Sequence, residues 1–197
     1  ITHSAGGASY SGGYQDPLIS GDAGAVPLRP NEGQVHIVNP GDSIQAAVEI
    51  AQPGDSIQVM PGTYSETVYI DKDDIHLRGV IQAGQRATLD GLGKLNDAIL
   101  YSGNNIIIEN FRITQYKGNG IMGQAGNNLE IRNNVIVDTG IYGILPQLGT
   151  NGLIEHNVVS SIEDAAIEGI EKLKVDLELS KPELLVNIDR DQARRLG

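Results

Sequence analysis

The segment GNNLEIRNNVIV, residues 126–137, carries two Asn-Asn pairs around a strand-like core of alternating apolar residues. Asn is unfavourable inside both helices and strands, so its pairing in so regular a segment needs a physical reason. The pattern recurs 23 residues away in both directions, as GNNIIIENFRITQYKGNGIMGQA from residue 103 and GTNGLIEHNVVSSIEDAAIEGI from residue 149. The segment is therefore one unit of an internal repeat.

The repeat predicts an all-β fold, a right-handed parallel β-helix with coils of 23 residues. Each repeat contains three short strand-like segments, and apolar residues recur at equivalent positions. Stacking would place these positions above one another at the spacing of neighbouring strands, about 4.8 Å. The aligned apolar sets are Ile108, Ile131 and Ile154; Ile113, Ile136 and Val159; and Ile121, Ile144 and Ile167.

Stacked coils explain the Asn pairs. Side-chain amides one coil apart can form hydrogen-bonded ladders, and Asn tolerates the left-handed backbone of a sharp corner. We predict a structural role for the aligned pairs Asn105 and Asn128, Asn110 and Asn133, and Asn134 and Asn157.

One repeat position carries alternating charge. Arg78, Glu109, Arg132 and Glu155 are predicted to form a column in which opposite charges lie one coil apart. Exposed pairs of this kind contribute only about 0–1 kcal/mol each. A shift of one coil would nevertheless set like charge on like, so the column is expected to fix the register.

The sequence outside the repeats divides the chain into three predicted regions. Residues 1–33 are rich in Gly and Ser and predict an extended arm. Residues 34–169 form the β-helix, with an N-terminal capping helix over residues 43–52 that begins at Asp42 as N-cap. Residues 170–197 predict two strands and a short helix, a C-terminal cap or an appended segment.

Composition excludes several classes of function. The net charge of −11 argues against nucleic acid as a partner, because phosphate binding needs a basic face. No apolar run is long enough to predict membrane insertion, and the absence of Cys excludes disulfides and thiol chemistry. The chain begins with Ile, which fits a processed export product or a trimmed chain. A periplasmic or secreted location is expected from the family resemblance described next.

The repeats and the segment before them resemble a known group. PGDSIQAAVEIAQPGDSIQVMPGTYSETVYI, residues 40–70, followed by Asn-rich coils, looks like the start of pectate-lyase-like β-helix proteins. The resemblance covers residues 34–169 and implies bacterial-type export. The group includes polysaccharide lyases, pectin methylesterases and C5-epimerases, together with repeat proteins that have no assigned activity.

The resemblance to the enzymes is incomplete. Alginate-type epimerases carry Tyr-Gly-x-Asp-Pro-His, whereas residues 142–147 read YGILPQ, so both proton-handling groups are replaced. The remaining catalytic candidates are Tyr142, His156 and Asp138, and the candidate binding residues are Tyr116 and Asp164. Pectate lyases use Ca²⁺, and the candidate ligands here are Asp138, Glu163 and Asp164. More often such carboxylates form a solvated acidic edge.

The last residues differ in character. KPELLVNIDRDQARRLG, residues 181–197, is similar to a porter-domain segment of resistance-nodulation-division efflux transporters. The match is short, and it raises the hypothesis that the chain is composite.

Three functional hypotheses remain. The first is a non-catalytic exported scaffold that needs no cofactor and binds an acidic or neutral glycan, or a partner protein, on one face. The second is a polysaccharide lyase or epimerase acting on acidic glycans, with calcium as the candidate ion. The third is a truncated or chimeric β-helix without native activity. An open end would also permit self-association through strand edges.

Overall fold

The computed structural model describes residues 33–167, without the side chains of residues 165 and 166, and the backbone of two short strands before them. Those strands, β1 (Thr2–His3) and β2 (Tyr10–Ser11), pair antiparallel. Most of the predicted arm and all of the predicted C-terminal region, including the segment similar to a porter domain, lie outside the described residues.

Three stacked parallel sheets form the body. The first sheet contains β3 (Val35–Val38), β4 (Ser56–Val59), β7 (His76–Gly79), β10 (Ile107–Glu109), β13 (Glu130–Arg132) and β16 (Leu153–Glu155). The second contains β5 (Gly62–Tyr64), β8 (Ala87–Asp90), β11 (Arg112–Tyr116), β14 (Val135–Thr139) and β17 (Val158–Ile162). The third contains β6 (Val68–Ile70), β9 (Ile99–Tyr101), β12 (Ile121–Gly123), β15 (Tyr142–Pro146) and β18 (Ala165–Ile167). The all-β parallel β-helix is confirmed.

The strand register follows the repeat. Ile108 pairs with Ile131, and Ile131 with Ile154, as the 23-residue step requires. Below the three repeats, Ile108 pairs with Leu77. The separation of these two residues in sequence exceeds one repeat, because the turn between β7 and β8 is longer than the equivalent turns above it. Inward positions are almost fully buried, and Tyr101, Phe111 and Tyr116 fill the remaining space between aliphatic side chains.

A short helix caps the end of the stack nearest β3, here called the lower end. The helix α1 (Ile44–Ile50) is shorter than predicted, and its N-cap is Ser43 rather than Asp42. Ser43 Oγ accepts a hydrogen bond from the Ala46 amide at 3.1 Å. The Glu66 carboxylate, from the turn between β5 and β6, accepts the amides of residues 44 and 45 at 2.8 and 3.0 Å. Because this acid lies about 20 residues downstream, local capping rules do not identify it.

The Asn pairs form ladders between turns. Asn128 Nδ2 donates to Asn105 Oδ1 at 2.8 Å, and Asn133 Nδ2 donates to Asn110 Oδ1. Asn134 lies inside the stack and is fully buried. A further exposed ladder, absent from the sequence expectations, runs through Asn104, Asn127 and Thr150.

Two members of the charged column, Arg78 and Glu109, are buried and the other two, Arg132 and Glu155, are half-buried, whereas the sequence predicted exposed pairs. Glu109 and Arg78 are each 6% exposed, and Glu109 contacts Arg78 Nε at 3.5 Å and Arg132 Nε at 2.7 Å. Arg132 Nη1 also contacts Glu130 at 2.9 Å, while Glu155 lies beside Arg132 in the register. The pairs therefore belong to a shielded network, in which removing one member matters more than at a surface.

The interior Asn134 is predicted to be essential for stability. Its Oδ1 accepts the amide of Phe111 at 3.0 Å and its Nδ2 donates to the carbonyl of Ile108 at 3.1 Å. Asn134→Ala would leave the buried Phe111 amide without its acceptor and would remove the side-chain donor to the Ile108 carbonyl, so we expect the free energy of unfolding to fall by about 2–3 kcal/mol. Urea denaturation measures this loss. Asn96→Ala, at an exposed position, is the control, and equal effects of the two changes would refute the role of the ladder.

Candidate functional site

Three corners connect the sheets in each turn, and each uses a residue with left-handed backbone. The corner between the first and second sheets has positive φ at Asn110, Asn133 and His156. The corner between the third and first sheets has positive φ at Asp74, Asn105, Asn128 and Asn151. The corner between the second and third sheets, here called the second corner, has positive φ at Leu92, Gln115, Asp138 and Ser161.

The second corner contains no Asn at these positions. Left-handed backbone costs roughly 1–2 kcal/mol for most residues and is relieved by Gly, and to some extent by Asn or Asp. The Asn corners combine this tolerance with ladder hydrogen bonds. Gln115, Asp138 and Ser161 are instead exposed, and their side chains form no hydrogen bond within the described part of the chain. Strained backbone clusters at functional sites in proteins, so the second corner, which lacks a stabilising ladder, is the candidate site.

A shallow depression lies along the second corner. It has a volume of about 390 Å³ and is open to solvent, and its lining includes Gln115, Lys117, Asp138, Thr139, Gly140 and Glu163. The lining spans successive turns because positions 115 and 138 lie on neighbouring strands. Side chains on this surface are therefore repeated at the strand spacing, about 4.8 Å.

The lining groups suit hydrogen bonding to a polar ligand. Asp138 and Glu163 supply acceptors, Lys117 supplies a donor, and Gln115 supplies both. The backbone contributes less, because the amides of Gly140 and Glu163 already donate to carbonyls of the preceding turn. Recognition in this depression would consequently rest on side chains.

Tyr116 reaches the wall of the depression but has a structural role. It is 2% exposed, and its hydroxyl donates to the carbonyl of Glu66 at 2.6 Å. Burial, assisted by the charges of Asp90 and Glu66, raises the pKa of the Tyr116 phenol. Its hydroxyl is therefore committed to joining turns of the stack and is not placed to act as a base.

The structure brings together only part of the predicted site. Asp138 and Glu163 line the depression, whereas Tyr142, His156 and Asp164 are not among its lining residues. His156 occupies the corner before β17, and Asp138 occupies the corner at the far end of β14. These two corners are separated by most of a strand, which is on the order of 10–15 Å at 3.3 Å per residue.

The expected calcium ligands do not form a metal-binding group. Within residues 33–167, no three His, Cys, Asp or Glu side chains are arranged to hold an ion. Asp138 and Glu163 both line the depression, whereas Asp164 does not. The backbone turns after Glu163, and the Asp164 amide donates to the carbonyl of Ile141.

The sequence contains a signal for Gln115 and Ser161, which were not among the predicted site residues, as well as for Asp138, which was. Gln115, Asp138 and Ser161 follow one another at the repeat step, each two residues after an inward apolar position. A corner position that carries polar residues other than Asn in successive turns therefore indicates a surface without an Asn side-chain ladder. Lys117 has no comparable signal, because the equivalent positions one and two turns above it are Gly140 and Glu163.

Relief of strain at the second corner gives a testable expectation. Leu92 has a φ of +54° and is 54% exposed. Because Asn tolerates this conformation better than Leu, Leu92→Asn is expected to raise the free energy of unfolding by about 0.5–1 kcal/mol. Thermal unfolding would measure it. Leu153→Asn, at an exposed strand position, is the control and should not stabilise; a loss of stability in Leu92→Asn would contradict the argument.

None of the helices in residues 33–167 is long and apolar enough to cross a membrane.

Comparison with known proteins identifies the family of the stacked turns. A family model described as a right-handed β-helix region matches residues 38–172. Searches of curated proteins and of solved structures each return no match.

Proposed function

The chain belongs to the right-handed β-helix family, and from this premise we propose that it is an exported, non-catalytic scaffold that binds a glycan along the second corner. The observation that carries the proposal is the row of exposed polar side chains at left-handed positions, Gln115, Asp138 and Ser161, which form no hydrogen bond with any other residue between 33 and 167. The β-helix fold alone would not support it, because one fold hosts many functions.

The open shape favours a polymer over a small molecule. Pockets for small ligands usually bury most of the ligand surface, whereas this depression is shallow and continues from turn to turn. Side chains that recur at the strand spacing suit a chain of similar chemical units. Hydroxyl groups of a sugar chain would donate to Asp138 and Glu163 and accept from Lys117.

Charge favours a neutral glycan over an acidic one. Between residues 33 and 167 the chain has 15 acidic and seven basic residues. The depression itself includes Asp138 and Glu163 against a single Lys117. A polyuronate would meet like charge on approach, which slows association and weakens binding.

The separation of the catalytic candidates supports binding without turnover. A general acid or base has to come within hydrogen-bond reach of the same substrate atom or of a shared water. Tyr116 is committed to Glu66, and Asp138 and His156 lie at different corners. A lyase or epimerase function remains the alternative, and incubation with polyuronates, with and without Ca²⁺, distinguishes it: product formation would refute the scaffold proposal.

Binding is tested by affinity electrophoresis in gels containing a soluble neutral β-glucan, a galactomannan or a polyuronate. We expect retardation by a neutral polymer, and Asp138→Gly is expected to weaken it at least ~10-fold, about 1.4 kcal/mol. Gly keeps the left-handed backbone available, so the change removes the side chain without added strain.

The control is Asn151→Gly, which alters a left-handed residue of an Asn corner in the adjoining turn. Equal weakening by both substitutions would show a structural effect and not a contact. Retention of full affinity in Asp138→Gly would refute the second corner as the binding surface.

A further inference from the structure

Two Asn-Gly bonds occur between residues 33 and 167, and the fold restrains only the first of them. Asn deamidates fastest before Gly, because no side chain hinders attack of the following backbone nitrogen on the Asn amide. Asn119 is 7% exposed, and its Nδ2 donates to Asp97 Oδ1 at 2.6 Å. The Gly120 amide donates to the carbonyl of Tyr142 at 2.9 Å. Both groups that would react are therefore held in place.

Both residues of the second bond, Asn151 and Gly152, are exposed. The Gly152 amide donates no hydrogen bond within residues 33–167, so its nitrogen is available to react. Asn151 Nδ2 donates to Asn128 Oδ1 at 3.4 Å, a longer contact than the 2.8 Å between Asn128 and Asn105 in the turn below. The Asn151 amide is therefore held more weakly than the Asn128 amide of the same ladder.

Gly152 also lacks the core anchor found at the equivalent position in the turn below. There, Asn128 has the same left-handed backbone, with a φ of +58°, and precedes Leu129, which is 3% exposed. A buried side chain fixes the peptide group that follows the Asn. Gly152 has no side chain, and no atom lies within 4 Å of a Cβ added there. Its peptide group can therefore rotate until the nitrogen reaches Asn151 Cγ.

We propose that Asn151 is a site of spontaneous deamidation. Hydroxide removes the proton of the Gly152 amide, and the nitrogen forms a bond to Asn151 Cγ. The Cγ–Nδ2 bond breaks, and Nδ2 leaves as ammonia after taking a proton from water. Water then opens the resulting succinimide: cleavage of the bond between the Gly152 nitrogen and Cγ gives Asp, and cleavage of its bond to the backbone carbonyl carbon gives isoaspartate. One water is consumed and one ammonia is released.

The modification acts on the strand that follows it. Loss of Nδ2 removes the donor to Asn128, and isoaspartate adds one carbon to the backbone of the corner. The strand β16 begins at Leu153, immediately after this corner, and is the outermost described strand of the first sheet. The Leu153 amide donates to the carbonyl of Leu129 at 2.7 Å, a contact that depends on the length of the corner. Isoaspartate at this position therefore loosens β16 from the stack.

Incubation of the full chain at mildly alkaline pH, followed by peptide mapping with mass spectrometry, tests the proposal. The reaction replaces an amide NH2 by an acid OH, and an isoaspartate-specific methyltransferase labels one of the two products. In the folded protein we expect Asn151 to react at least ~10-fold faster than Asn119, because Asn119 must wait for local opening of the stack. In urea the two sites should react at similar rates, since each precedes Gly.

Gly152→Ala is the matched variant. A methyl group beside the nitrogen hinders the attack, and the fold has room for it. We expect deamidation at Asn151 to slow several-fold in this variant, with the rate at Asn119 unchanged. Equal rates at Asn119 and Asn151 in the folded chain, or reaction of Asn151 in urea alone, would overturn the proposal.

Amide hydrogen exchange of the separated isoaspartate form tests the effect on β16. The Leu153 amide is expected to exchange at least ~10-fold faster than in the unmodified chain, whereas the interior amides of β10 keep their rates. The Asp form, which keeps the length of the backbone, should show a smaller change. Unchanged exchange of the Leu153 amide in the isoaspartate form would refute the loosening of β16.

Discussion

Glu109→Gln is expected to lower the free energy of unfolding by about 3–5 kcal/mol, because it leaves buried cations without their carboxylate. Glu109 is hydrogen-bonded to His76 Nε2 at 2.9 Å and to Arg132 Nε at 2.7 Å, with Arg78 Nε at 3.5 Å. The carboxylate therefore serves three basic groups, two from β7 in the turn below it and one from β13 in the turn above it.

The same residue makes stability depend on pH. Burial acts to raise the pKa of Glu109, but the hydrogen bond and charge of His76, followed by those of Arg132, outweigh it and lower the pKa from 4.5 to about 2. A depressed pKa contributes stability above the unfolded-state value, and this contribution is lost as the pH falls from about 4.5 through about 2. The difference corresponds to about 3 kcal/mol.

Urea unfolding of the parent and of Glu109→Gln, measured at several pH values between 7 and 2, checks both expectations. The difference between the two proteins should be greatest near neutral pH and should narrow through this acidic window. Glu49→Gln, at an exposed site on α1, is the control and should change stability by less than about 0.5 kcal/mol. A constant difference at all pH values would contradict the assignment to the Glu109 charge.

Gly126→Ala is expected to destabilise the stack by at least about 3 kcal/mol. Gly126 has a φ of +103°, and a Cβ added there would overlap the carbonyl oxygen of Gly103 in the turn below. A strained backbone contributes about 1–3 kcal/mol and overpacking a similar amount. A Cβ added at Gly149 would likewise overlap the carbonyl oxygen of Gly126, so these glycines set how closely successive turns approach.

Thermal and urea unfolding measure this loss, and Gly152→Ala provides the matched control. No atom lies within 4 Å of a Cβ added at Gly152. We expect that change to alter the free energy of unfolding by less than about 0.5 kcal/mol. Similar stability of the two variants would show that the turns can separate enough to admit a methyl group, and would contradict close stacking at this column.

The constant step of the repeat made the architecture predictable. When two sequences 23 residues apart fold alike, equivalent residues become neighbours in adjacent turns without further information. The register of Ile108 with Ile131 and the ladder of Asn105 with Asn128 follow from that rule alone. The N-terminal end of the helix was harder to predict from sequence, because its first amides donate to Glu66 in a later turn.

The site was only partly predictable, for a related reason. Asp138 and Glu163 were singled out from sequence as carboxylates near one corner, and both line the depression. Gln115 and Lys117 were not, since nothing in a single repeat separates a ligand-facing polar residue from a solvated one. The sequence also grouped His156 with Asp138, although a strand of the second sheet separates their corners.

The sequence by itself determined the fold class, the period of the stack and the partners of the Asn ladders, because each depends on a pattern that repeats at a fixed interval. Only the tertiary structure decided which charges are buried, which corner carries polar side chains outside the ladders of residues 33–167 and which contacts join distant turns. Arg86 illustrates the difference: it donates to the carbonyl of Asn133, 47 residues away, from a turn that interrupts the repeat. Burial and long-range contacts depend on how the turns and insertions pack together, and no local periodicity encodes that packing.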